Sequence, residues 1–182
     1  MTTSIPAAAP PHRPLRDMTT EEIVGTGRPH RLTYHDGTSR TVLVTDLETS
    51  FPTGELIVSQ TDTDGVITMC NEAFVLMSGW SRAELLGSPH AILRHPDMPR
   101  AAFADLWATV GSGRRWSGYV KNLRRDGGFY WVYATVIPKI RAGVILGHTS
   151  VRRQPSRRRV EAAEALYATM RSEENDASRV QP

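Results

Sequence analysis

The chain has 182 residues, a formal net charge of +3 and a single cysteine, Cys70. A chain of this length is typical of one domain with tails, and a hydrophobic fraction of 40% is sufficient for a core. One cysteine excludes an internal disulfide and a zinc site made of cysteines alone. No apolar run approaches the ~20 residues that span a bilayer, and the N-terminal residues lack the apolar stretch of a secretory signal. We therefore expect a cytoplasmic protein that does not insert into membranes.

Residues 1–53 predict an N-terminal extension that is ordered only in part. Residues 1–18 are rich in Pro, Ala and Thr without periodicity, which is typical of a mobile tail. Residues 31–44 predict a hairpin, because two strand-like runs flank Asp36-Gly37, a dipeptide that favours a tight turn.

A denser pattern, typical of a folded domain, covers residues 54–153. Five segments carry the alternation and turn signals of strands: 55–60, 66–70, 116–123, 129–139 and 144–152. Helices are predicted between the second and third of these strands: 71–77, 81–86 and 100–110. Ser81 and Glu84 have the spacing of a capping box. Since the helices do not alternate with the strands, we predict an α+β fold, a five-stranded antiparallel sheet with short helices on one face.

Residues 154–182 predict an amphipathic C-terminal helix followed by a tail. The helix is expected over 157–172. Its apolar residues form a stripe: Val160, Ala163, Tyr167 and Met170. The stripe could pack against a second copy or a partner protein, or equally against the chain's own sheet.

Three motifs between residues 55 and 153 resemble a PAS sensor domain. They are Cys70-Asn-Glu-Ala-Phe74 with Ser78-Gly79, Arg94-His-Pro-Asp-Met-Pro99 with Ala102-Phe-Ala-Asp-Leu-Trp107, and Trp116-Ser-Gly118 with Lys121-Asn122 and Tyr130-Trp131-Val132. The first and third are common to many PAS domains. The second is narrower and is similar to the flavin-binding PAS domain of bacterial aerotaxis receptors. The resemblance implies a PAS fold with non-covalently bound FAD, which senses redox state or oxygen and signals to a partner protein.

The resemblance and the side-chain chemistry together imply a cofactor site in the hollow between sheet and helices. Its expected members are Asn71, Arg94, His95, Asp97, Phe103, Trp107, Trp116 and Asn122. The planar guanidinium of Arg94 suits a phosphate group, and His95 and Asp97 would hold that arginine or bind the ribose and adenine. Aromatic faces stack on flat rings, and an amide such as that of Asn122 can donate or accept a hydrogen bond when a flavin nitrogen gains a proton.

Several of these residues have a structural alternative. Arg94 and Asp97 could form a surface pair that caps the helix over 100–110, and Asn71 could cap the helix that follows it. Trp107 shares the apolar face of its helix and could be a core residue.

Other cofactors and protein classes compete with a flavin sensor. A haem bound through His90 or His95 is the rival cofactor, and a PAS module that dimerises without a cofactor is the rival class. Cys70 ends a strand, which argues against the covalent flavin chemistry of light-sensing PAS domains. No HExxH, GxSxG, P-loop or GxGxxG motif is present, so an enzyme is not expected.

The partners expected from the sequence are proteins. Output would pass to a signalling protein, and the C-terminal helix could support a homodimer. The basic run at 152–159 is more typical of a solvated linker than of a nucleic-acid site, so no nucleic acid is expected.

Overall fold

The computed structural model of the protein describes residues 13–180. Within this range the strands are β1 (Arg28–Thr33), β2 (Ser39–Val44), β3 (Ile57–Thr61), β4 (Ile67–Cys70), β5 (Trp116–Leu123), β6 (Phe129–Arg141) and β7 (Val144–Arg153). The helices are α1 (Glu72–Ser78), α2 (Arg82–Leu85), α3 (Arg100–Gly111) and α4 (Arg157–Val180), with a 3-10 helix over His90–Leu93. Residues 1–12, the larger part of the expected tail, lie outside the described range.

Strands β3 to β7 form one antiparallel sheet in the order β4-β3-β7-β6-β5. The short helices lie between β4 and β5 in the chain, so the predicted α+β fold with a five-stranded antiparallel sheet is confirmed. Side chains alternate between the two faces of a strand. One face of this sheet meets α1 and α3, and the other meets α4.

The first two helices begin at the side chains that the sequence singles out. The Asn71 side-chain oxygen accepts a hydrogen bond from the backbone N–H of Phe74 at 3.1 Å, which caps α1. Ser81 and Glu84 form the predicted capping box in both directions at the start of α2. These caps turn the chain from β4 into the helical segment.

α3 is capped by a distant residue. No side chain next to Pro99 bonds the first turn of this helix. Instead, the Glu174 carboxylate of α4 accepts hydrogen bonds from the backbone N–H groups of Arg100 and Ala101, at 3.1 and 2.8 Å. The structure therefore contradicts the alternative in which Asp97 caps this helix.

α4 packs on the outer face of the sheet through the apolar stripe. Val160, Ala163 and Tyr167 are buried. The Tyr167 hydroxyl donates to the backbone carbonyl of Tyr119 at 2.7 Å, and its ring stacks on Trp131 with centroids 6.3 Å apart. Of the two alternatives, the structure thus shows packing of the stripe on the chain's own sheet.

The N-terminal hairpin packs against the sheet domain. β1 and β2 pair around the turn at Asp36-Gly37, where Gly37 has a φ of 79° that favours glycine. Met18, Val42 and Leu123 belong to one buried cluster, which joins the extension to β5. Residues 13–53 are thus attached to the sheet rather than separate from it.

None of the helices in residues 13–180 is both long and apolar enough to cross a membrane.

Candidate functional site

A cleft lies between the inner face of the sheet and the wall formed by the 3-10 helix and α3. Its empty space is about 1010 Å³, including the open mouth. Alternate residues of four strands line the sheet side: Ser59, Thr61, Val120, Asn122, Ala134, Val136, His148, Ser150 and Arg152. This period of two places one face of β3, β5, β6 and β7 in the cleft.

The α3 wall of the cleft is apolar and only partly covered. Phe103, Leu106 and Trp107 line it, and Trp107 is 42% exposed. Val110 is the one residue of α3 that is fully buried. The helix face that the sequence predicts as apolar therefore borders a cleft, and a flat ligand would remove its aromatic surface from water.

Arg152 places a positive charge deep in this cleft. Its side chain is 2% exposed, and burial lowers the pKa of the guanidinium to about 10. One terminal nitrogen, Nη2, donates to the Ser59 hydroxyl at 3.0 Å and lies 2.5 Å from Nε2 of His90. The other, Nη1, has no partner within residues 13–180, and no carboxylate there pairs with Arg152. A buried cation without a counter-charge favours a ligand with negative charge or carbonyl oxygens.

His90 is held as a neutral ring beside Arg152. Burial, and then the charge of Arg152, lower the pKa of His90 to about 3. The ring stacks on Phe74 with centroids 5.9 Å apart. Its Nε2 therefore accepts a hydrogen bond from the Arg152 guanidinium.

Arg94 supplies a second cation at the edge of the cleft. Its guanidinium carbon lies 4.6 Å from the ring centroid of Phe103, and burial lowers its pKa. Within the described residues no carboxylate lies within ion-pair distance of this guanidinium. The backbone of Arg94 forms a bridge with Asn122 of β5, so the two side chains are fixed in neighbouring positions.

Several polar atoms of cleft residues lack a hydrogen-bond partner within residues 13–180: Thr61 Oγ1, Asn122 Nδ2, His148 Nδ1 and Arg152 Nη1. Each of the four residues is buried. Because an unsatisfied buried polar group costs about 1–3 kcal/mol, these atoms favour polar groups of a ligand or water in the cleft. No group of three or more His, Cys, Asp or Glu in the described chain could hold a metal ion.

The expected site residues divide into two sets. Arg94, Phe103, Trp107 and Asn122 line the cleft. The others lie outside its lining: Asn71, His95, Asp97 and Trp116.

Two residues of the second set join secondary-structure elements. The Asn71 amide links β3 to α1, since Oδ1 accepts from Val58 N–H at 3.0 Å and Nδ2 donates to the Leu56 carbonyl at 2.7 Å. The Trp116 indole donates to Asp105 of α3 at 2.7 Å. Its ring covers Gly118, where a Cβ would lie 2.4 Å from the indole. Gly118 thus makes room for the tryptophan.

His95 and Asp97 belong to a charged cluster beside the cleft. Asp97 pairs with Lys121 at 2.7 Å, and not with Arg94 as the sequence suggested. These contacts and the nearby Arg171 keep the Asp97 pKa below its usual value despite partial burial. His95 is 1% exposed, and its Nδ1 accepts from the Asp97 backbone N–H at 3.0 Å. Burial, reinforced by the charge of Lys121, lowers the His95 pKa.

Sequence reasoning missed several cleft residues, among them Tyr34 and His35 of the hairpin and Arg152 of β7. Arg152 was assigned to a basic run, although period-two alternation from His148 through Ser150 would have placed it on the inner face. No sequence signal connects the hairpin to the cleft, because that contact joins segments far apart in the chain.

The comparisons with known proteins agree with this geometry. Residues 67–142 match the family model described as PAS fold. The chain contains a PAS domain. The chain is 43% identical over 127 residues to the aerotaxis receptor of Escherichia coli, and the aligned region covers 70% of this chain and 25% of the receptor. The chain is also 35% identical over 81 residues to a nitrogen fixation regulatory protein of Klebsiella pneumoniae. That aligned region covers 44% of this chain and 16% of the regulatory protein.

A solved structure supports the same fold. A light-oxygen-voltage domain studied with a flavin analogue superposes with a TM-score of 0.52 at 20% identity, covering 66% of this chain and 87% of that chain. The chain therefore has a PAS fold, and it spans a quarter or less of the length of the two curated relatives.

Proposed function

We propose that this protein is a cytoplasmic sensor that binds FAD non-covalently in the cleft and reports redox state or oxygen to a partner protein. The observation that carries the proposal is the enclosed guanidinium of Arg152, which has no carboxylate partner within residues 13–180. The similarity to an aerotaxis receptor and the likeness to a domain studied with a flavin analogue support the choice of ligand.

The side chains of the cleft fit the parts of a flavin. Phe103 and Trp107 offer faces to a flat ring system. The unpartnered donors of Asn122 and Arg152 suit the carbonyl oxygens and nitrogens of the ring edge. The planar fork of Arg94 suits a phosphate.

Asn122 is the residue that we propose to respond to the redox state. When bound, the flavin supplies reversible reduction in which a ring nitrogen gains a proton and becomes a donor. The Asn122 amide can present either its oxygen or its nitrogen to that position.

A continuous set of contacts leads from Asn122 to the outer face of the sheet. The adjacent residue, Lys121, pairs with Asp97. The backbone carbonyl of Asp97 accepts a hydrogen bond from Arg171 of α4. We propose that a rotation of Asn122 changes the packing of α4, where a signalling partner would detect it.

The geometry favours flavin over haem. Ligation of iron by His90 would break its contact with Arg152 and leave the guanidinium with fewer partners. His95 lies outside the cleft lining, so its ring does not border the space that a haem would fill.

The absorption spectrum of the purified protein tests the proposal. We expect flavin bands, whereas a Soret band would indicate haem. A featureless visible spectrum after incubation with FAD and removal of the unbound flavin by gel filtration would refute the proposal.

A matched pair of variants tests the assignment of Arg94. Arg94→Ala should weaken FAD binding about ten- to a hundredfold, because a charge-assisted contact is lost. Asp97→Ala should leave the affinity within about twofold, because Asp97 lies outside the cleft. Calorimetric titration of both variants decides, and equal losses would contradict the assignment.

A further inference from the structure

The N-terminal hairpin forms part of the cleft wall. Tyr34 and His35 line the cleft at the turn between β1 and β2. The Tyr34 N–H donates to the Thr38 carbonyl at 2.9 Å, which closes this turn. Tyr34 is buried, whereas the His35 side chain is exposed at the mouth.

Arg40 fixes the hairpin to the 3-10 helix, which forms part of the cleft wall. Its side chain is 1% exposed. Its Nε donates to the Tyr34 hydroxyl at 2.9 Å, and its Nη2 donates to the Ile92 carbonyl of the 3-10 helix at 2.7 Å. The tyrosine ring is therefore held in a fixed position relative to a cleft wall before any ligand binds.

The hairpin lies at the Arg94 end of the cleft. Phe103 and Trp107 are one helical turn apart on α3. Arg94 stacks on Phe103, and Arg40 bonds the hairpin to the carbonyl of Ile92, two residues before Arg94. Trp107, in contrast, contacts His148 at the other end, with centroids 5.5 Å apart.

We infer that Tyr34 and His35 form the binding surface for the nucleoside of a dinucleotide, so that the site selects FAD over FMN. This inference rests on the proposed function. FMN ends at its phosphate, whereas FAD continues through a second phosphate to adenosine. If Arg94 binds phosphate, the adenosine extends beyond it. Phe103 at that end already stacks on Arg94, and the remaining aromatic side chains of the lining there are those of the hairpin. Such side chains stack on nucleobases.

Titration of the flavin-free full chain with FAD and with FMN tests this inference. Wild type should bind FAD at least about tenfold more tightly than FMN, because the stacking of one base contributes about that factor to the affinity. His35→Ala and Tyr34→Ala should each weaken FAD binding severalfold to tenfold, by about the same stacking energy, and leave FMN binding unchanged. Tyr34→Phe retains the ring and should stay close to wild type.

His30→Ala is the matched control, because His30 is exposed on the same hairpin and does not line the cleft. It should change neither affinity. Tyr34→Ala also removes the Arg40 contact and can unfold the hairpin. If Tyr34→Ala binds neither flavin, the result for His35→Ala, at an exposed position, decides.

The possible results separate this inference from the proposed function. Equal wild-type affinities for FAD and FMN, or FAD affinity unchanged in His35→Ala, overturn the inference and leave flavin binding intact. Failure of wild type to bind either flavin overturns both.

Discussion

At the scale of single residues, Arg152 combines a folding cost with the binding role that we propose for it. Its guanidinium is buried, has one unpartnered nitrogen and contacts no carboxylate within residues 13–180. A charge in such a place destabilises a ligand-free protein, and a ligand with complementary polarity offsets the cost. The same group thus opposes folding and favours binding.

Substitution of Arg152 separates these two effects. Arg152→Gln should raise the free energy of unfolding of the flavin-free protein by about 1–3 kcal/mol, because the buried charge is removed while a donor remains. The same variant should bind FAD more weakly. Urea unfolding and calorimetric titration measure both quantities. A variant that is less stable yet binds flavin normally would show that Arg152 is structural.

For Asn122→Ala we predict that FAD still binds but that its redox state no longer affects the rest of the domain. Asn122→Ala removes one hydrogen bond, worth about 0.5–1.5 kcal/mol, so FAD should remain bound. Hydrogen exchange of oxidised and chemically reduced wild type should differ over residues 116–152. The variant should lack this difference, because alanine cannot exchange donor for acceptor. A redox-dependent difference preserved in Asn122→Ala would exclude this residue as the relay.

Because several histidines are buried, we predict that the free energy of unfolding decreases as the pH is lowered. The pKa of His95 is lowered in the folded state, and that of His90 is lowered to about 3, from ordinary values of 6.5. The unfolded chain therefore binds more protons below pH 6.5, and stability is lost as the pH falls from there towards the folded pKa values. His148, whose pKa is also lowered by burial, contributes with the same sign.

The measurement is urea unfolding of the flavin-free protein between pH 7 and 5. Each fully buried neutral histidine should contribute up to about 1.4 kcal/mol per pH unit below 6.5. The lowered carboxylate pKa values of Asp97 and Glu22 act only near and below their ordinary values of 3.8 and 4.5, outside this window. His95→Gln should reduce the slope, and the exposed His35→Ala should not. An unchanged slope in His95→Gln would contradict the assignment.

At the scale of elements, α4 connects the outer face of the sheet with α3. Its buried stripe covers the sheet, and Glu174 accepts hydrogen bonds from the first turn of α3, whose Phe103 and Trp107 border the cleft. Arg171 contacts Asp97 at the same end. α4 is thus part of the folded core and also contacts α3 and Asp97 beside the cleft.

Removal of α4 tests this role. A chain that ends at residue 156 should lose about 3–6 kcal/mol of unfolding free energy, since buried Val160 and Tyr167 are removed and Trp131 is uncovered. Tyr167→Phe, which removes only the bond to Tyr119, should cost about 0.5–1.5 kcal/mol. Urea midpoints compare the two chains with wild type. A truncated chain as stable as wild type would place α4 outside the core.

At the scale of the whole molecule, hairpin, sheet and helices meet around one cleft. Arg40 joins the hairpin to the 3-10 helix, and Lys121 joins β5 to the segment before α3. A ligand that fills the cleft would contact all of these parts. Ligand binding should therefore stabilise the molecule as a unit.

Flavin-dependent stability is the corresponding prediction. FAD at about one hundred times its dissociation constant should raise the free energy of unfolding by about 2.7 kcal/mol. Hydrogen exchange should slow in the hairpin as well as in the sheet. Urea unfolding with and without FAD provides the measurement, with adenosine alone as the control ligand. If FAD shifts the midpoint no more than adenosine does, the flavin ring is not bound in the cleft.

The sequence by itself determined the features that depend on neighbouring residues. Period-two alternation located the strands of the sheet, and the Ser81–Glu84 spacing located the start of α2. Motifs of adjacent residues identified the PAS fold, and side-chain chemistry selected Arg94, Phe103, Trp107 and Asn122, all of which line the cleft. Each of these signals lies within a short segment, where backbone geometry alone sets which residues are neighbours.

Only the tertiary structure decided which distant side chains meet. Arg152 is enclosed because β7 lies in the middle of the sheet, a position that a local count of basic residues does not reveal. Asp97 pairs with Lys121 rather than with the nearby Arg94, since β5 places that lysine beside it. The hairpin is attached to β5, and α4 covers the sheet, through buried apolar contacts that have little direction of their own. Such contacts depend on where whole surfaces pack, and therefore on the complete fold rather than on any one segment.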